Sequence, residues 1–480
     1  SSDIKTSSVY AFGILSTNSG NVTVNDAKIY SSGNLSYAVA AKDAGVVNIS
    51  NSELFSDKKS YGAALSSGVN SKMVIEDSKL TATSSGSNTV QAAATTAEFD
   101  GNLEIKNSEI STSGEISAGI FLQQKGTLTL ENSSIKTTGN KSSGIMASLN
   151  SRVDAANVNI NTAGDESNAV NADTGSVVSI SRASIETSGN SIGINAINDG
   201  TVVSVFDSNI TTSADAAKGV WAGGKASLLL TDTNVLTNGK GSYAVSANGS
   251  GSRVVIENGV INTTGEIDIS GNSANAVVSE FGGDITMNGQ NSVSTTGAFS
   301  AGLLSQVSGE NLDTVLKTKG YTDVLTTGNN AAGVLACSSP GVNRTCITPL
   351  SVESDDKIDA NSSLALLSMD GGKITTHGNN SYGAYANGVN AEIALNDISI
   401  VTNGQESHAL AVQHGNIAVS NSNIATTGTD ASIAMINKGG IFSLNNVIAN
   451  AKNSSGINMV SDNADDDDTV NITNSNLNVD

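Results

Sequence analysis

An aliphatic residue returns about every 25 residues along most of this chain, each time in similar surroundings. The column consists of Ile29, Leu54, Leu80, Ile110, Ile135, Ile160, Ile185, Ile210, Val235 and Ile261, and it returns at Ile400, Ile424, Ile448 and Leu477. A fixed period in this range is the sequence signature of a solenoid, in which each repeat packs only against its neighbours. We therefore expect one repeating architecture rather than a series of globular domains.

An acid or amide precedes almost every one of these aliphatic residues by three positions. The column is Asp26, Asn51, Asp77, Asn107, Asn132, Asn157, Arg182, Asp207, Asp232 and Asn258, and it continues with Asp397, Asn421, Asn445 and Asn474. Asn and Asp tolerate a left-handed backbone and bond to neighbouring backbone groups, so the column favours turns. Stacked Asn side chains can also form an amide ladder. The same row could serve a ligand, and the two roles can coexist.

Each repeat divides into three short segments, as in 117–122, 125–130 and 134–139. The segments are rich in Val, Ile, Leu and Thr and are separated by Gly, Asn or Asp, which is typical of strands joined by turns. Hairpins have no reason to keep one phase over many repeats, whereas a parallel coil does. The pattern predicts an all-β fold, a right-handed parallel β-helix with three strands per turn and roughly 18 turns.

A second column contains Gly or Ala, which we expect inside the coil where its wall bends. Its positions are 62, 119, 144, 169, 193, 219, 244, 302, 333, 383, 409, 434 and 456. Aromatic residues make up only 4% of the chain. The core should therefore be thin and aliphatic.

The repeat is interrupted near 84–100, 306–323, 337–363 and 461–468, which we interpret as loop insertions in a single domain spanning 1–480. The segment 306–323 could hold a short helix that ends at Gly320. The segment 337–363 contains Cys337 and Cys346, which we expect to form a disulfide in an exported protein. The acidic segment 461–468 could coordinate calcium through several carboxylates, but it lacks the usual spacing of calcium ligands, so an acidic surface loop is the favoured interpretation. We expect no metal site and no cofactor.

Composition and motifs limit the function. The net charge of -21 argues against a nucleic-acid partner, because phosphate binding needs clustered cations. Of the three histidines, His408 is expected to lie on the surface. No nucleophile elbow, zinc-protease motif or phosphate-binding loop is present, and no carboxylate pair stands out beside a basic partner. We therefore expect no catalytic residues and no enzyme, with cleavage of a polysaccharide as the least favoured alternative.

The repeated text is represented by 142–164, SSGIMASLNSRVDAANVNINTAG. It resembles the passenger domains of bacterial autotransporters (type V secretion), in the style of the adhesins AIDA, antigen 43, pertactin and UpaB, over nearly the whole chain. The resemblance implies a full-length precursor with a translocator barrel, from which this chain is a cut passenger segment. It also implies a place on the bacterial cell surface, reached through the outer membrane, or outside the cell.

The resemblance further implies a virulence-related adhesin, a rigid rod that binds host extracellular matrix non-covalently through polar rows and grooves. Its partner would be a fibronectin-like protein or a glycosaminoglycan. The candidate ligand-binding residues are the ten column members from Asp26 to Asn258. The alternative is self-association that promotes bacterial aggregation and biofilm. Replacing Asp207 and Asp232 with alanine is expected to weaken binding without unfolding the chain.

Overall fold

The computed structural model describes residues 2–57, 60–87, 91–307, 312–338, 363–452, 454–460 and 468–480. Within these residues the chain forms strands and turns, without a helix. Strands of successive repeats pair in parallel, and the fold is a right-handed parallel β-helix of about 17 turns. The predicted fold class is therefore confirmed. In the described part of the chain, no helical segment has the length and apolarity needed to cross a membrane.

Each turn of the coil has three strands. The first strand ends at the Asp/Asn column, the second begins just after it, and the third follows a polar turn. One turn illustrates the order: Thr127–Glu131 is a first strand, Ser134–Thr137 a second and Ile145–Ala147 a third. A strand pairs with the same strand of the next turn, so each position forms a column along the coil.

By its internal contacts the chain divides into two compact units. The first unit is Ser1–Ala217 with Lys225–Leu228, and the second is Lys218–Gly224 with Leu229–Asp480. That the chain is a single domain stays a prediction.

The strands of the first unit fall into three sets. The first strands are Asn21–Asn25, Val46–Ser50, Lys72–Glu76, Asn102–Lys106, Thr127–Glu131, Arg152–Ala156, Val177–Ser181 and Val202–Phe206. The second strands are Ser2–Thr6, Ala27–Ser31, Glu53–Ser56, Lys79–Ala82, Glu109–Thr112, Ser134–Thr137, Asn159–Thr162, Ser184–Thr187 and Asn209–Thr212. The third strands are Phe12–Ser16, Tyr37–Lys42, Gly62–Ser67, Ala92–Glu98, Ser117–Gln123, Ile145–Ala147, Val170–Asp173 and Ile192–Ile197.

In the second unit, four long strands each combine a first and a second strand: Asp284–Thr295, Thr314–Thr326, Ala365–Thr376 and Ala391–Thr402. The separate first strands are Ser227–Thr231, whose first two residues are counted in the first unit, Arg253–Glu257, Asn416–Ser420, Ile441–Asn445 and Thr469–Thr473. The separate second strands are Asn234–Thr237, Val260–Thr263, Asn423–Thr426, Ile448–Ala451 and Asn476–Val479. The third strands are Lys218–Gly223, Tyr243–Asn248, Val277–Glu280, Ala301–Val307, Ala332–Ser338, Tyr382–Asn387, Leu410–Gln413, Ala434–Asn437 and Ile457–Val460.

The aliphatic column forms the core of the second-strand wall. Ile110 pairs with Ile135, which pairs with Ile160, and all three are almost fully buried. Burying such a side chain stabilises the fold by roughly 2–3 kcal/mol. The sequence assignment is wrong near the C-terminus, where Ala449 and not Ile448 pairs with Ile424. Ile448 is 53% exposed because the preceding turn residue is Asn446, one position later than predicted.

The column of small residues packs directly against the aliphatic column. A Cβ added to Gly119 would lie 2.5 Å from Cγ2 of Ile135, and one added to Gly144 would lie 2.5 Å from Cγ2 of Ile160. The close approach of the third and second strands therefore requires a small side chain. Two predicted members are wrong by one position: Gly62 pairs with Tyr37, and Ala434 pairs with Leu410.

The predicted helix within 306–323 is wrong. Residues Thr314–Thr326 form a strand whose side chains alternate between buried and half-buried up to Thr318. The β-branched residues of this segment suit a strand better than a helix. Gly320, expected as the end of a helix, has φ +102 and stands in register with Gly289 at the turn column.

Two other interruptions are shorter than the sequence indicated. Residues Ala92–Glu98 of the segment 84–100 form a regular third strand, in register with the third strands before and after it. Cys337 is a buried residue near the end of Ala332–Ser338. Cys346, with most of 337–363, lies outside the described residues, as do 461–467. The disulfide between Cys337 and Cys346 therefore stays a prediction.

Candidate ligand-binding surfaces

The ten predicted site residues share one backbone conformation. Each joins a first strand to a second strand, is exposed, and has φ between 45° at Asp207 and 55° at Asn157. This is the left-handed region, which Asn and Asp tolerate better than most residues. The column is therefore architectural, as the sequence indicated, and it also presents a polar side chain to solvent at every turn.

Serine often follows the Asn or Asp of the column, and its hydroxyl group has a structural role there. The hydroxyl of Ser78 donates to the carbonyl of Glu76 at 2.6 Å and accepts the backbone N–H of Ser52 at 3.1 Å. Ser108 repeats the arrangement one turn further on, where it accepts the backbone N–H of Ser78 at 3.1 Å. These bonds satisfy backbone groups that the sharp turn would otherwise leave without partners.

The predicted amide ladder is present in the first unit. Asn107 donates to Oδ1 of Asp77 at 3.2 Å, Asn132 to Asn107 at 3.4 Å, and Asn157 to Asn132 at 3.1 Å. Arg182 ends the ladder with a bond from its Nε to Oδ1 of Asn157 at 2.7 Å. Because an amide has two N–H groups and two lone pairs, each ladder Asn keeps hydrogen-bonding capacity that faces solvent.

The column in the second unit is less regular. Asn258 donates to Oδ1 of Asp232 at 3.2 Å, and Asn446 donates to Oδ1 of Asn421 at 2.9 Å. Between these pairs the position is held by Gly289, Gly320 and Gly371, with φ of +75, +102 and +84, and by Asp397, with φ 55. The exposed polar row is therefore interrupted within this unit.

A shallow groove of about 630 Å³ runs beside the ladder of the first unit. Its lining includes Asn107, Asn132, Asn157 and Arg182 together with Glu109. The structure thus brings four of the ten predicted residues to one concave surface, with a cation at one end.

A second groove, which the sequence did not predict, lies on the outer side of the third strands of the first unit. It has a volume of about 850 Å³ and its aromatic lining includes Phe12, Tyr37, Tyr61 and Phe121. The rings of Phe12 and Tyr37 are stacked with centroids 6.4 Å apart, and those of Tyr37 and Tyr61 are 6.0 Å apart. The low overall aromatic content hid this cluster, and the signal for it was the grouping of aromatic residues in the first repeats.

Polar groups of fixed orientation border these rings. The carboxylate of Glu98 accepts bonds from the hydroxyl of Ser67 at 3.2 Å and from the amide of Gln123 at 2.8 Å. Burial raises the pKa of Tyr37 well above its usual range, and the charge of Glu98 adds to this shift. Tyr37 therefore stays protonated and can act as a hydrogen-bond donor.

Two further polar residues of the second unit are noteworthy: Lys218, half-buried at the start of the third strand Lys218–Gly223, and His408, just before the third strand Leu410–Gln413. Lys218 lies over the rings of Trp221 and Tyr243, 5.1 Å and 5.6 Å from their centroids, and burial lowers its pKa. His408 is 8% exposed, so its predicted surface position is wrong. Its Nδ1 accepts the backbone N–H of Ser432 at 3.0 Å, and its ring stacks on Tyr382. In the described residues no group of three or more His, Cys, Asp or Glu side chains could hold a metal ion.

Comparison with known proteins gives a structural relationship only. No family model and no curated protein matches the chain. The cryo-EM structure of the Vag8–C1 inhibitor complex matches with a TM-score of 0.56 and 14% identity, over 98% of this chain and 99% of that chain. The described part of this chain therefore shares its β-helical fold with that structure. At this identity the match shows the fold alone.

Proposed function

We propose that this chain is a non-enzymatic surface passenger that binds a host extracellular macromolecule through the ladder of its first unit. The observation that carries the proposal is the hydrogen-bonded row from Asp77 to Arg182 beside the 630 Å³ groove. Side chains that hold one another in place lose little conformational entropy when a ligand binds. The passenger-like fold supports a secreted or surface location, and the similar Vag8 fold is seen in complex with a protein, the C1 inhibitor.

A protein ligand of the fibronectin type suits this chain better than a glycosaminoglycan. The net charge of -21 repels a sulfated polyanion, and Arg182 is the one cation in the ten-residue column. Neutral amides and carboxylates can pair with the mixed polar surface of a protein.

The test removes ladder side chains without straining the turn. Alanine is a poor choice, because Asp207 and Asp232 have φ of 45° and 49°, where a Cβ is unfavourable. Asn132→Gly with Asn157→Gly deletes two amides and keeps the backbone. We expect the double variant to bind immobilised fibronectin roughly tenfold more weakly by biolayer interferometry, with an unchanged circular dichroism spectrum.

The matched control is Asn380→Gly, which removes an exposed Asn with φ 51° from a different turn. It should bind like the parent chain. Heparin and the chain itself serve as alternative immobilised ligands. Binding to heparin alone would replace the protein ligand with a glycosaminoglycan, and binding only to the chain itself would favour self-association. Equal binding of parent and double variant to fibronectin would show that the ladder is purely structural.

A further inference from the structure

We propose that the 850 Å³ aromatic groove of the first unit binds a neutral oligosaccharide, with sugar rings stacked on its aromatic side chains. The groove lies on the third strands, whereas the Asp/Asn column lies between the first and second strands. The inference therefore goes beyond the proposed function and concerns a different surface.

The floor of the groove suits a chain of sugar rings. Phe12, Tyr37 and Tyr61 follow one another along the coil with centroids 6.4 and 6.0 Å apart, and Phe121 and Met146 pair with each other in the neighbouring column. A pyranose ring has an apolar C–H face and a rim of hydroxyl groups. Aromatic side chains with an apolar face beside polar groups match that division. Successive rings of an extended glycan can thus lie on successive turns.

Fixed polar groups stand where they can bind hydroxyls. Glu98 is held by Ser67 and Gln123, and Asn171 accepts a bond from Asn195 at 2.6 Å. Each retains free lone pairs or N–H groups towards the groove. A few oriented polar groups on a mainly apolar surface are the usual arrangement of a specific small-ligand site.

The charges in the groove balance, which favours a neutral ligand. Lys141 pairs with Glu166 at 3.8 Å, and Lys42 lies over the ring of Phe12 at 5.9 Å. With Glu98, two lysines and two glutamates line the groove. A sulfated chain would find no excess of cations there.

Three residues that line the groove have a left-handed backbone conformation. Tyr10, Leu35 and Ile116 have φ of 54°, 57° and 53° at the turn before the third strand. Large side chains, and β-branched ones above all, are unfavourable in this region. In the second unit the same turn position holds Asn330 and Asn380, which tolerate it, and also Phe299, with φ 59°. Asparagine is therefore a compatible replacement for a large residue at this turn.

The experiment uses the full chain with Tyr10→Asn and Ile116→Asn combined. Isothermal titration calorimetry would test hexasaccharides of neutral glucan, galactan, mannan and chitin, with a heparin hexasaccharide for comparison. We expect binding of at least one neutral hexasaccharide and about a tenfold loss of affinity in the double variant. The melting temperature should stay equal or rise, because asparagine accepts the left-handed turn.

The matched control combines Phe99→Asn and Leu149→Asn. Both residues have positive φ, 52° and 54°, are 51% and 42% exposed, and lie outside the groove. This control should keep its affinity for the glycan within about twofold. Lack of binding to any neutral hexasaccharide, binding to heparin alone, or unchanged affinity in the groove variant would each overturn the proposal. Binding of the groove variant to deglycosylated fibronectin should stay unchanged, so the two proposals can fail separately.

Discussion

At the scale of the residue, one left-handed position per turn decides which side chains the coil accepts between its first and second strands. Asn, Asp and Gly occupy it almost throughout, and Arg182 does so with φ 51°. Arg182 gains a 2.7 Å hydrogen bond to Asn157 in return for an unfavourable backbone conformation. The backbone, more than any ligand, therefore limits variation in this column.

Asn132 can separate the backbone effect from the side-chain effect. Asn132→Gly and Asn132→Ala both delete the amide, but only alanine places a Cβ at φ 48°. We expect the alanine variant to be less stable than the glycine variant by about 1 kcal/mol. Urea denaturation at equilibrium would measure the difference. Equal stability of the two variants would mean that the left-handed turn does not restrict the residue type.

His408 gives a pH dependence whose sign follows from its burial. Burial lowers its pKa to about 4, whereas the unfolded chain has a value of about 6.5. The unfolded state thus takes up a proton first, so stability is full above pH 6.5 and falls as the pH drops towards 4, by up to about 3 kcal/mol. The difference between the urea midpoints at pH 7 and pH 4.5 should be smaller in His408→Gln than in the parent chain.

The exposed His377 supplies the control for that experiment. His377→Gln should leave the pH profile as it is in the parent chain. If the stability of His408→Gln falls at low pH as steeply as that of the parent chain, other groups cause the loss.

At the scale of the element, the contact between two columns sets the distance between the second and third strands. Gly119, Gly144 and Gly219 each approach the aliphatic column so closely that a Cβ would lie 2.4 to 2.5 Å from a side-chain methyl group. In the turn after Gly144, Ala169 occupies the same column, so a Cβ is accommodated there. The spacing thus varies slightly from turn to turn, within the narrow limits of close packing.

Gly119→Ala tests this packing. The new Cβ would meet Cγ2 of Ile135 and the carbonyl oxygen of Gly144, at 2.5 and 2.7 Å. We expect a loss of about 1–3 kcal/mol, the usual cost of overpacking a core. Thermal unfolding followed by circular dichroism would show the loss. Ala169→Gly should change stability by no more than about 1 kcal/mol, and a Gly119→Ala variant as stable as the parent would contradict the close contact.

At the scale of the whole molecule, the net charge of -21 governs association between copies. Like charges repel over a distance that falls from about 30 Å at 0.01 M salt to about 3 Å at 1 M. We expect sedimentation velocity to show a monomer at low salt, with any self-association growing as salt is added. Association that is strongest at low salt would instead reveal complementary charged surfaces and would favour the aggregation alternative.

The sequence by itself determined the periodic part of this protein. A coil that stacks each residue on its counterpart must repeat its aliphatic, small and turn residues, so Ile110, Ile135 and Asn132 could be placed from the sequence. The assignment slipped by one residue at Ile448 because a single inserted position changes the phase without changing the composition. A short helix was expected within 306–323 because Gly320 has the same conformational freedom at a helix end as at the turn column.

Only the tertiary structure decided which residues from distant turns share a surface. The aromatic groove joins Tyr10 to Phe121, which are far apart in sequence and have no common motif. It also decided that His408 is buried, because exposure depends on the neighbouring strands and not on the residue's place in its own repeat. The spacing of repeated residues is a property of the sequence and can be recognised from it. A groove is formed by side chains of different turns, which come into contact only in the folded coil.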